Sequence, residues 1–297
     1  MAGTGVHAQV QRLFQYWYAN QVNNVRWGGS FSGDYGLECG VRQGGLSSPK
    51  LFNLYINDLI VELSNERVGC TVDSVFINNI SYAGDMALLC PSVGALRRLL
   101  GICERYAGKY GLVYNCRKSV YMVFKAAGKG PESVPLIKLN DVNLTRVYSF
   151  KYLGHYITDD LNDHEDIERE RRALAIRSNM LARRFARCSR QVKITLFKAY
   201  CQSFYTSSLW FNYTKRSLSA LRVQYNNGFR VLMGLPRFCS ASTMFAEARV
   251  DDFYAIIRKR TASLLSRLRG SANSILKVIP DRYDLPVMKS FIRVLIK

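Results

Sequence analysis

The chain has 297 residues, of which 48% are hydrophobic and 22% are charged. This composition excludes a wholly disordered protein, a collagen and a small disulfide scaffold, and the length indicates one large or two modest domains. The 42 Lys and Arg residues against 22 Asp and Glu give a net charge of +20. So large an excess points to a polyanionic partner, above all nucleic acid.

The positive charge is concentrated in one part of the chain. Residues 1–170 carry 17 basic and 17 acidic side chains, whereas residues 171–297 carry 25 basic and 5 acidic ones. The asymmetry therefore predicts that the second part contacts the anion.

Cysteine spacing and apolar patterning bear on metal sites and on location. The eight cysteines form no CxxC pair and have no His pair nearby, which disfavours a zinc site. Scattered thiols on apolar segments are typical of a reducing compartment. No apolar run approaches 18 residues and the first residues lack an apolar signal core. We therefore expect an intracellular protein of the nucleus or cytoplasm, neither secreted nor membrane-bound.

The first half of the chain alternates helix-like and strand-like segments. Helices are predicted over residues 6–22, 49–64 and 94–110, the second behind Ser47-Ser48-Pro49 and the third ending at Gly111. A Gly-rich stretch covers 28–45, and strand, turn and strand are predicted over 68–90. Further strands are predicted at 119–124, 134–139 and 147–157.

After Asp159 the pattern becomes helical. Acidic residues from 159 to 170 begin a long predicted helix, where carboxylates favour the positive end of the helix dipole. More helices are predicted at 191–208, 217–233 and 251–269, with a break at Gly234-Leu235-Pro236. The chain thus divides into a mixed α/β part, 1–160, and a helical, basic part, 161–297.

Four sequence motifs now follow one another in a recognisable order. They are Gly40-Val41-Arg42-Gln43-Gly44-Gly45-Leu46-Ser47-Ser48-Pro49, Ser81-Tyr82-Ala83-Gly84-Asp85, Gly111-Leu112-Val113-Tyr114-Asn115 with Lys118, and Phe150-Lys151-Tyr152-Leu153-Gly154. They resemble motifs B, C, D and E of reverse transcriptases, and most of all those of non-LTR (LINE-type) retrotransposons. The resemblance covers about residues 10–160.

The resemblance implies an α/β fold with a palm over 1–160 and a helical, thumb-like region over 161–297. It implies an RNA-directed DNA polymerase that uses Mg²⁺ and dNTPs on an RNA and DNA template–primer duplex. Five residues would then contact nucleotide or template: Arg42, Gln43, Gly44, Gly45 and Tyr82. Asp85 would bind metal and Lys118 would act as an acid toward the leaving pyrophosphate. Gly44 and Gly45 suit contact with nucleotide or template, because a backbone without a side chain can approach a base closely.

Two departures from the family pattern concern the metal ligands. Gly84 stands where motif C has its first Asp, so only Asp85 remains. Before Gly40 the chain has only Asp34 and Glu38, neither in a motif A context, and no fingers region is expected. Because one carboxylate cannot hold two Mg²⁺ ions, we expect a truncated and catalytically impaired enzyme.

The basic segment predicts where nucleic acid binds. On a straight helix over 165–190, the apolar side chains cluster on one side. The five arginines opposite them are Arg169, Arg172, Arg183, Arg187 and Arg190. No acid occurs between Glu170 and Glu247, so mutual repulsion favours a phosphate-binding face over a merely solvated one.

Three functional hypotheses stay open at this point. The chain is a polymerase domain, a non-catalytic nucleic-acid-binding derivative, or a relic reading frame that folds poorly alone. The third hypothesis follows from the motif C hairpin, which would expose an open strand edge without the motif A strand. His155 and His164 are expected to be surface or structurally satisfied residues.

Overall fold

The computed structural model describes residues 6–37, 40–41, 44–126 and 128–296. The chain forms two compact units. Unit 1 comprises residues 1–114 and 137–142, and unit 2 comprises residues 115–136 and 143–297. The palm boundary predicted at residue 160 stays a prediction.

The elements of both units are numbered in chain order. The helices are α1 (Ala8–Ala19), α2 (Ser48–Asn65), α3 (Val93–Tyr110), α4 (His164–Arg184), α5 (Arg190–Cys201), α6 (Lys215–Met233), α7 (Ala241–Ala248), α8 (Phe253–Arg269), α9 (Ser274–Val278) and α10 (Pro286–Ile296). The strands are β1 (Val22–Asn23), β2 (Arg26–Trp27), β3 (Ser30–Phe31), β4 (Tyr35–Gly36), β5 (Cys70–Val72), β6 (Val75–Ile77), β7 (Asn79–Tyr82), β8 (Asp85–Leu88), β9 (Val120–Tyr121), β10 (Lys138–Leu139), β11 (Val142–Asn143), β12 (Thr145–Arg146), β13 (Ser149–Tyr152) and β14 (His155–Thr158).

Helices α2 and α3 form the main core of unit 1. Pro49 lies in the first turn of α2 as predicted, although the side chain of Ser47 makes no capping hydrogen bond. Helix α3 stops where Gly111 adopts φ +67°, a conformation that glycine tolerates. The buried side chains between them are Leu59, Leu63, Leu99, Ile102, Cys103 and Tyr106. The mixed helix and strand prediction for this part of the chain is confirmed.

The segment predicted as one strand, turn and strand is two hairpins. Strands β5 and β6 pair antiparallel, and so do β7 and β8. The first hairpin turns at Asp73 and Ser74, both with positive φ. Asn78 between the hairpins is buried and its amide donates to the carbonyl oxygens of Leu63 and Glu66. These two hydrogen bonds hold the chain in place between the hairpins, because a buried amide needs partners.

In unit 2 the predicted strand 147–157 is also a hairpin. Strands β13 and β14 pair in register from Ser149 opposite Thr158 to Tyr152 opposite His155. The turn residues Leu153 and Gly154 have φ values of +47° and +88°. Two consecutive left-handed residues reverse the chain, so the Tyr-Leu-Gly motif forms a turn rather than a continuous strand.

The straight helix predicted over 165–190 is wrong, because the chain breaks after α4 ends at Arg184. Ser189 has an extended backbone and its side chain accepts a hydrogen bond from the Val192 N–H, which starts α5 at Arg190. The predicted apolar side of α4 is confirmed, since Ile167, Leu174 and Leu181 are buried.

The helices of unit 2 enclose one large core. Its buried aromatic side chains are Phe197, Phe204, Trp210, Tyr225, Phe229, Phe245 and Phe253. Gly234 ends α6 with φ +67°, which confirms the predicted break. Helices α7, α9 and α10 were not predicted. Within the ranges that the structure covers, none of the helices combines the length and apolarity needed to cross a bilayer.

Candidate functional site

The β7–β8 hairpin carries the residues predicted for the polymerase centre. Tyr82 pairs directly with Asp85 across a two-residue turn of Ala83 and Gly84. Tyr82 is 65% exposed and Asp85 is exposed as well. The left-handed residue is Ala83, with φ +49°, whereas no heavy atom lies within 4 Å of a Cβ built on Gly84. The backbone therefore does not require glycine at position 84.

The described residues do not fit a magnesium centre. No group of three His, Cys, Asp or Glu side chains gathers around one point in the described ranges. Helix α2 carries two further acids, but Glu62 is 3.3 Å from the Arg105 guanidinium and Asp58 is exposed. Mg²⁺ needs several oxygen ligands placed together, and Asp85 offers a single carboxylate.

Of the glycine-rich motif, the structure describes Gly40 and Val41 and then Gly44, Gly45 and the residues that follow. Gly44 has φ +81° with open space around its Cβ position, and the carbonyl of Gly45 accepts a hydrogen bond from Ser48. Arg42 and Gln43 lie outside the described residues. The nucleotide- and template-binding roles of this motif stay predictions.

Lys118 and Asp85 belong to different units. Lys118 is exposed in unit 2, where its backbone N–H bonds to the carbonyl and side-chain oxygens of Asn115. Asp85 lies in unit 1. The catalytic role of Lys118 therefore remains a prediction from the resemblance.

The outward face predicted for five arginines is wrong for Arg169. Its Nε donates to Asp166 Oδ1 at 2.8 Å, and its two terminal nitrogens contact Glu170 and Thr206. Arg172 is exposed, but its Nε bonds to Glu168 Oε1 at 2.9 Å. Arg187 and Arg190 lie beyond the end of α4. The five arginines therefore do not form one stripe.

Acids in the first half of α4 neutralise more arginines than expected. Glu168 binds both Arg171 and Arg172, and Glu170 binds both Arg169 and Arg177. Hydrogen bonds from Arg171 outweigh partial desolvation, and together with those from Arg172 they lower the pKa of Glu168 to about 2. The absence of acids after Glu170 therefore does not leave every following arginine without a counter-ion.

A buried carboxylate holds the start of α4 in place. Asp166 is fully buried and accepts hydrogen bonds from Thr206 Oγ1 at 2.6 Å and from Trp210 Nε1 at 2.8 Å. Burial alone would raise the pKa of Asp166, but hydrogen bonds from His155, Arg169, Thr206 and Trp210 hold it well below its ordinary value. Asp166 is thus a structural anion.

Asp163 makes a second anchor, to the backbone. Its Oδ2 accepts hydrogen bonds from the N–H groups of Phe211 and Asn212, each at 2.7 Å. Burial raises the pKa of Asp163, and these two donors oppose the shift. The helix dipole alone accounts for such acids in the sequence, because the partners Thr206, Trp210 and Phe211 lie 40 to 48 residues away.

Both histidines occupy structural positions. His164 Nδ1 shares a hydrogen bond with Ser217 Oγ, and His155 Nδ1 lies 3.4 Å from Asp166 Oδ2. Both rings are half-buried. His164 meets the expectation of a surface or satisfied histidine, whereas His155 Nδ1 is buried with only the longer approach to Asp166.

One group of cations has no acidic partner. We call the residues from the end of α4 to the first turn of α5 the basic turn; its cations are Arg183, Arg184, Arg187, Arg190 and Lys193. The four arginines are exposed, Lys193 is half-buried, and none of the five forms an ion pair with another described residue. So dense a cationic surface attracts phosphate groups.

Comparisons with known proteins give the following matches. A family model described as "Reverse transcriptase (RNA-dependent DNA polymerase)" matches residues 6–157. The retrovirus-related Pol polyprotein from type-1 retrotransposable element R2 of Popillia japonica is 31% identical over 123 residues, which are 39% of this chain and 17% of that protein. The RNA-directed DNA polymerase from mobile element jockey of Drosophila funebris is 22% identical over 278 residues, which are 90% of this chain and 30% of that protein. The chain thus spans less than a third of the length of either relative.

Proposed function

The chain belongs to the reverse transcriptase family, of the non-LTR retrotransposon type, and from that premise we propose that these 297 residues bind nucleic acid without synthesising DNA. The proposal concerns this polypeptide taken alone. Polymerisation by a longer polypeptide that supplies further carboxylates is compatible with it.

The single observation that carries the proposal is the incomplete acidic set at the β7–β8 hairpin. Phosphoryl transfer by this family relies on carboxylates that hold metal ions beside the primer end and the triphosphate. Here Asp85 lies opposite Tyr82 with glycine at position 84, and the described residues bring no cluster of ligands together. We infer no catalytic step through a metal ion.

Binding is assigned to the basic turn and follows from its charge. Its four exposed arginines present planar, permanently charged groups that suit phosphate oxygens. Contacts of this kind recognise the backbone and not the base sequence, so we expect RNA and DNA duplexes of any sequence as ligands. An intracellular location, with access to such ligands, belongs to the same proposal.

The other motif residues retain the roles that the resemblance implies. Tyr82, with Gly44 and Gly45, would face a nucleotide or template, and Tyr82 is exposed enough to stack on a base. Arg42, Gln43 and Lys118 complete the assignment from the family pattern. These residues explain nucleotide or template contact without requiring turnover.

Primer extension tests the catalytic half of the proposal. We expect the purified chain to incorporate no dNTP on a primed RNA template with Mg²⁺ or Mn²⁺. Gly84→Asp should fold normally, because the site is open, and should still be inactive. Template-dependent incorporation that disappears in Asp85→Ala would refute the proposal and establish the chain as a polymerase.

A further inference from the structure

Helices α4 and α6 lie side by side and run in the same direction. At their starts His164 bonds to Ser217, and fourteen residues later along α4 Ser178 packs on Gly228 of α6. A Cβ built on Gly228 would lie 2.4 Å from Ser178 Oγ, so the two backbones are close there. The pair buries one side in the core of unit 2 and presents the other outward.

The outward side of this pair, which we call the α4–α6 face, mixes aliphatic and basic side chains. Its positions recur at intervals of three and four residues, so they share one side of each helix. They are Arg172, Ile176 and Asn179 on α4 and Arg216, Ala220, Val223, Asn227 and Val231 on α6, all exposed. Ile176 is 70% exposed, Val231 59% and Val223 46%. Aliphatic side chains this exposed, gathered on one face, mark an interaction surface.

A groove runs along part of this face. Its volume is about 510 Å³, and its lining residues are Arg171, Arg216, Ser219, Ala220, Val223 and Gln224. Arg171 is already bonded to Glu168, whereas the sequence places no acid between Glu170 and Glu247, so α6 contributes no carboxylate to the groove. The groove therefore combines the aliphatic side chains of Ala220 and Val223 with the guanidinium group of Arg216.

We propose that the α4–α6 face docks an acidic amphipathic helix of a protein partner. Aliphatic side chains on one side of that helix would cover Ala220 and Val223, while its carboxylates would meet Arg216. From Arg216 to Val231 the face is about 22 Å long at 1.5 Å per residue, which accommodates roughly four helical turns.

The face differs in chemistry from the basic turn to which nucleic acid binding is assigned. Phosphate backbones gain from charge and hydrogen bonds, and protein–DNA interfaces are accordingly polar and strongly positive. Exposed Ile176 and Val223 offer neither charge nor hydrogen bonds, yet they supply the apolar contact that a peptide helix seeks. The positive charge of Arg216 favours a partner helix that carries acidic side chains.

Two labelled peptides of about 16 residues, long enough for four turns, test the docking. One is a designed amphipathic helix with Leu on one side and Glu on the others, and the second has the same composition in scrambled order. We expect the full-length chain to bind the amphipathic peptide at least about tenfold more tightly in fluorescence anisotropy, since apolar anchors and charge act together. Equal binding of both peptides, or none, would overturn the proposal.

Matched variants locate the site. Val223→Glu should weaken peptide binding about tenfold, because it places like charge on the groove. Val61→Glu is the control, since Val61 also lies on a helix, α2, and is 50% exposed; it should leave peptide affinity unchanged. Ile176→Glu on α4 gives an independent second variant if Val223→Glu lowers the helix content seen by circular dichroism.

A nucleic acid duplex decides between the two classes of partner. The same variants are titrated with a fluorescent duplex of mixed sequence. Val223→Glu should weaken duplex binding no more than Val61→Glu does, because both substitutions add one negative charge outside the basic turn. If Val223→Glu weakens the duplex tenfold and the duplex displaces the peptide, the α4–α6 face belongs to the nucleic acid interface and peptide docking is refuted.

Discussion

The two units differ sharply in how they bury apolar side chains. In unit 2, rings of Phe197, Tyr225, Phe229 and Phe245 pack against one another with centroids about 5 Å apart. In unit 1 the main core is a small cluster between α2 and α3, and α1 contains no buried residue. Large side chains of unit 1 lie open instead, with Trp27 85% and Tyr16 71% exposed.

This difference separates the family motifs from the stable framework. The β7–β8 hairpin, which carries Tyr82 and Asp85, belongs to the unit with the smaller core, against which its Met86 and Leu88 pack while only partly buried. The basic turn joins two helices whose apolar sides enter the large core. The proposed nucleic-acid-binding surface therefore lies in the better-packed unit.

The largest effect is expected from Asp166→Asn. Removing one partner from a buried charge network costs about 3–5 kcal/mol, because Arg169 and the donors of Thr206 and Trp210 lose their shared anion. Urea unfolding followed by fluorescence of Trp210 measures the change. Asp85→Asn in unit 1 is the control and should leave the free energy of unfolding unaltered. A loss below about 1 kcal/mol for Asp166→Asn would mean that the network does not stabilise unit 2.

The next effect concerns binding. Changing Arg183, Arg187 and Arg190 together to Glu should lower duplex affinity about 100-fold at 0.15 M salt, since about three phosphate contacts are lost and each contributes about 0.9 to the log–log salt slope. A salt titration by anisotropy measures affinity and slope together. The control changes Lys277, Lys289 and Lys297 to Glu, which alters net charge equally and should matter far less. Equal losses in both variants would show that net charge, and not the basic turn, drives binding.

Local signals in the sequence identified much of this fold. Pro49 and Gly111 mark the start of α2 and the end of α3, and Gly84-Asp85 between apolar runs predicts a hairpin, whose turn the structure places at Ala83 and Gly84. Each of these signals acts within a few residues. The split between α4 and α5 had such a signal too, because Ser189 is a good helix-capping residue, but the continuous apolar side across 165–190 obscured it.

The burial of Arg169 could not be predicted in that way. Its partners include Thr206, which is 37 residues away in sequence and is positioned by the Asp166 network. Helical spacing alone places Arg169 among the outward arginines, since spacing contains no information on which distant segment covers a helix. Motif resemblance, similarly, identified Tyr82 and Asp85 but said nothing of the acids that organise unit 2.

Two glycines give a smaller and more local contrast between the units. Gly228→Ala should destabilise unit 2 by about 1–3 kcal/mol, because the new Cβ would lie 2.4 Å from Ser178 Oγ and 3.0 Å from its Cβ. Gly84→Ala should stay within about 0.5 kcal/mol, since no atom lies within 4 Å of the corresponding position. Urea unfolding of both variants checks the pair. If Gly84→Ala is the more harmful substitution, the hairpin is packed against something that the open space around Gly84 does not reveal.

The smallest expected effect is that of a surface ion pair, and it depends on pH. The pKa of Glu168 is lowered to about 2 by Arg171 and Arg172, against an ordinary value of about 4.3 in the unfolded chain. A depressed carboxyl pKa stabilises the folded state above about pH 4.3, and that stabilisation disappears as pH falls toward 2. Because Glu168 is 39% exposed, solvent screening limits it to less than about 1 kcal/mol. Glu168→Gln should therefore be slightly less stable than the natural chain at pH 7 and equal to it near pH 2, by urea unfolding at each pH.

Glu62→Gln in unit 1 is the control; it breaks a still more exposed pair with Arg105 and should stay within about 0.5 kcal/mol at neutral pH. A Glu168→Gln deficit that persists at pH 2 would mean that the side chain acts through packing and not through charge.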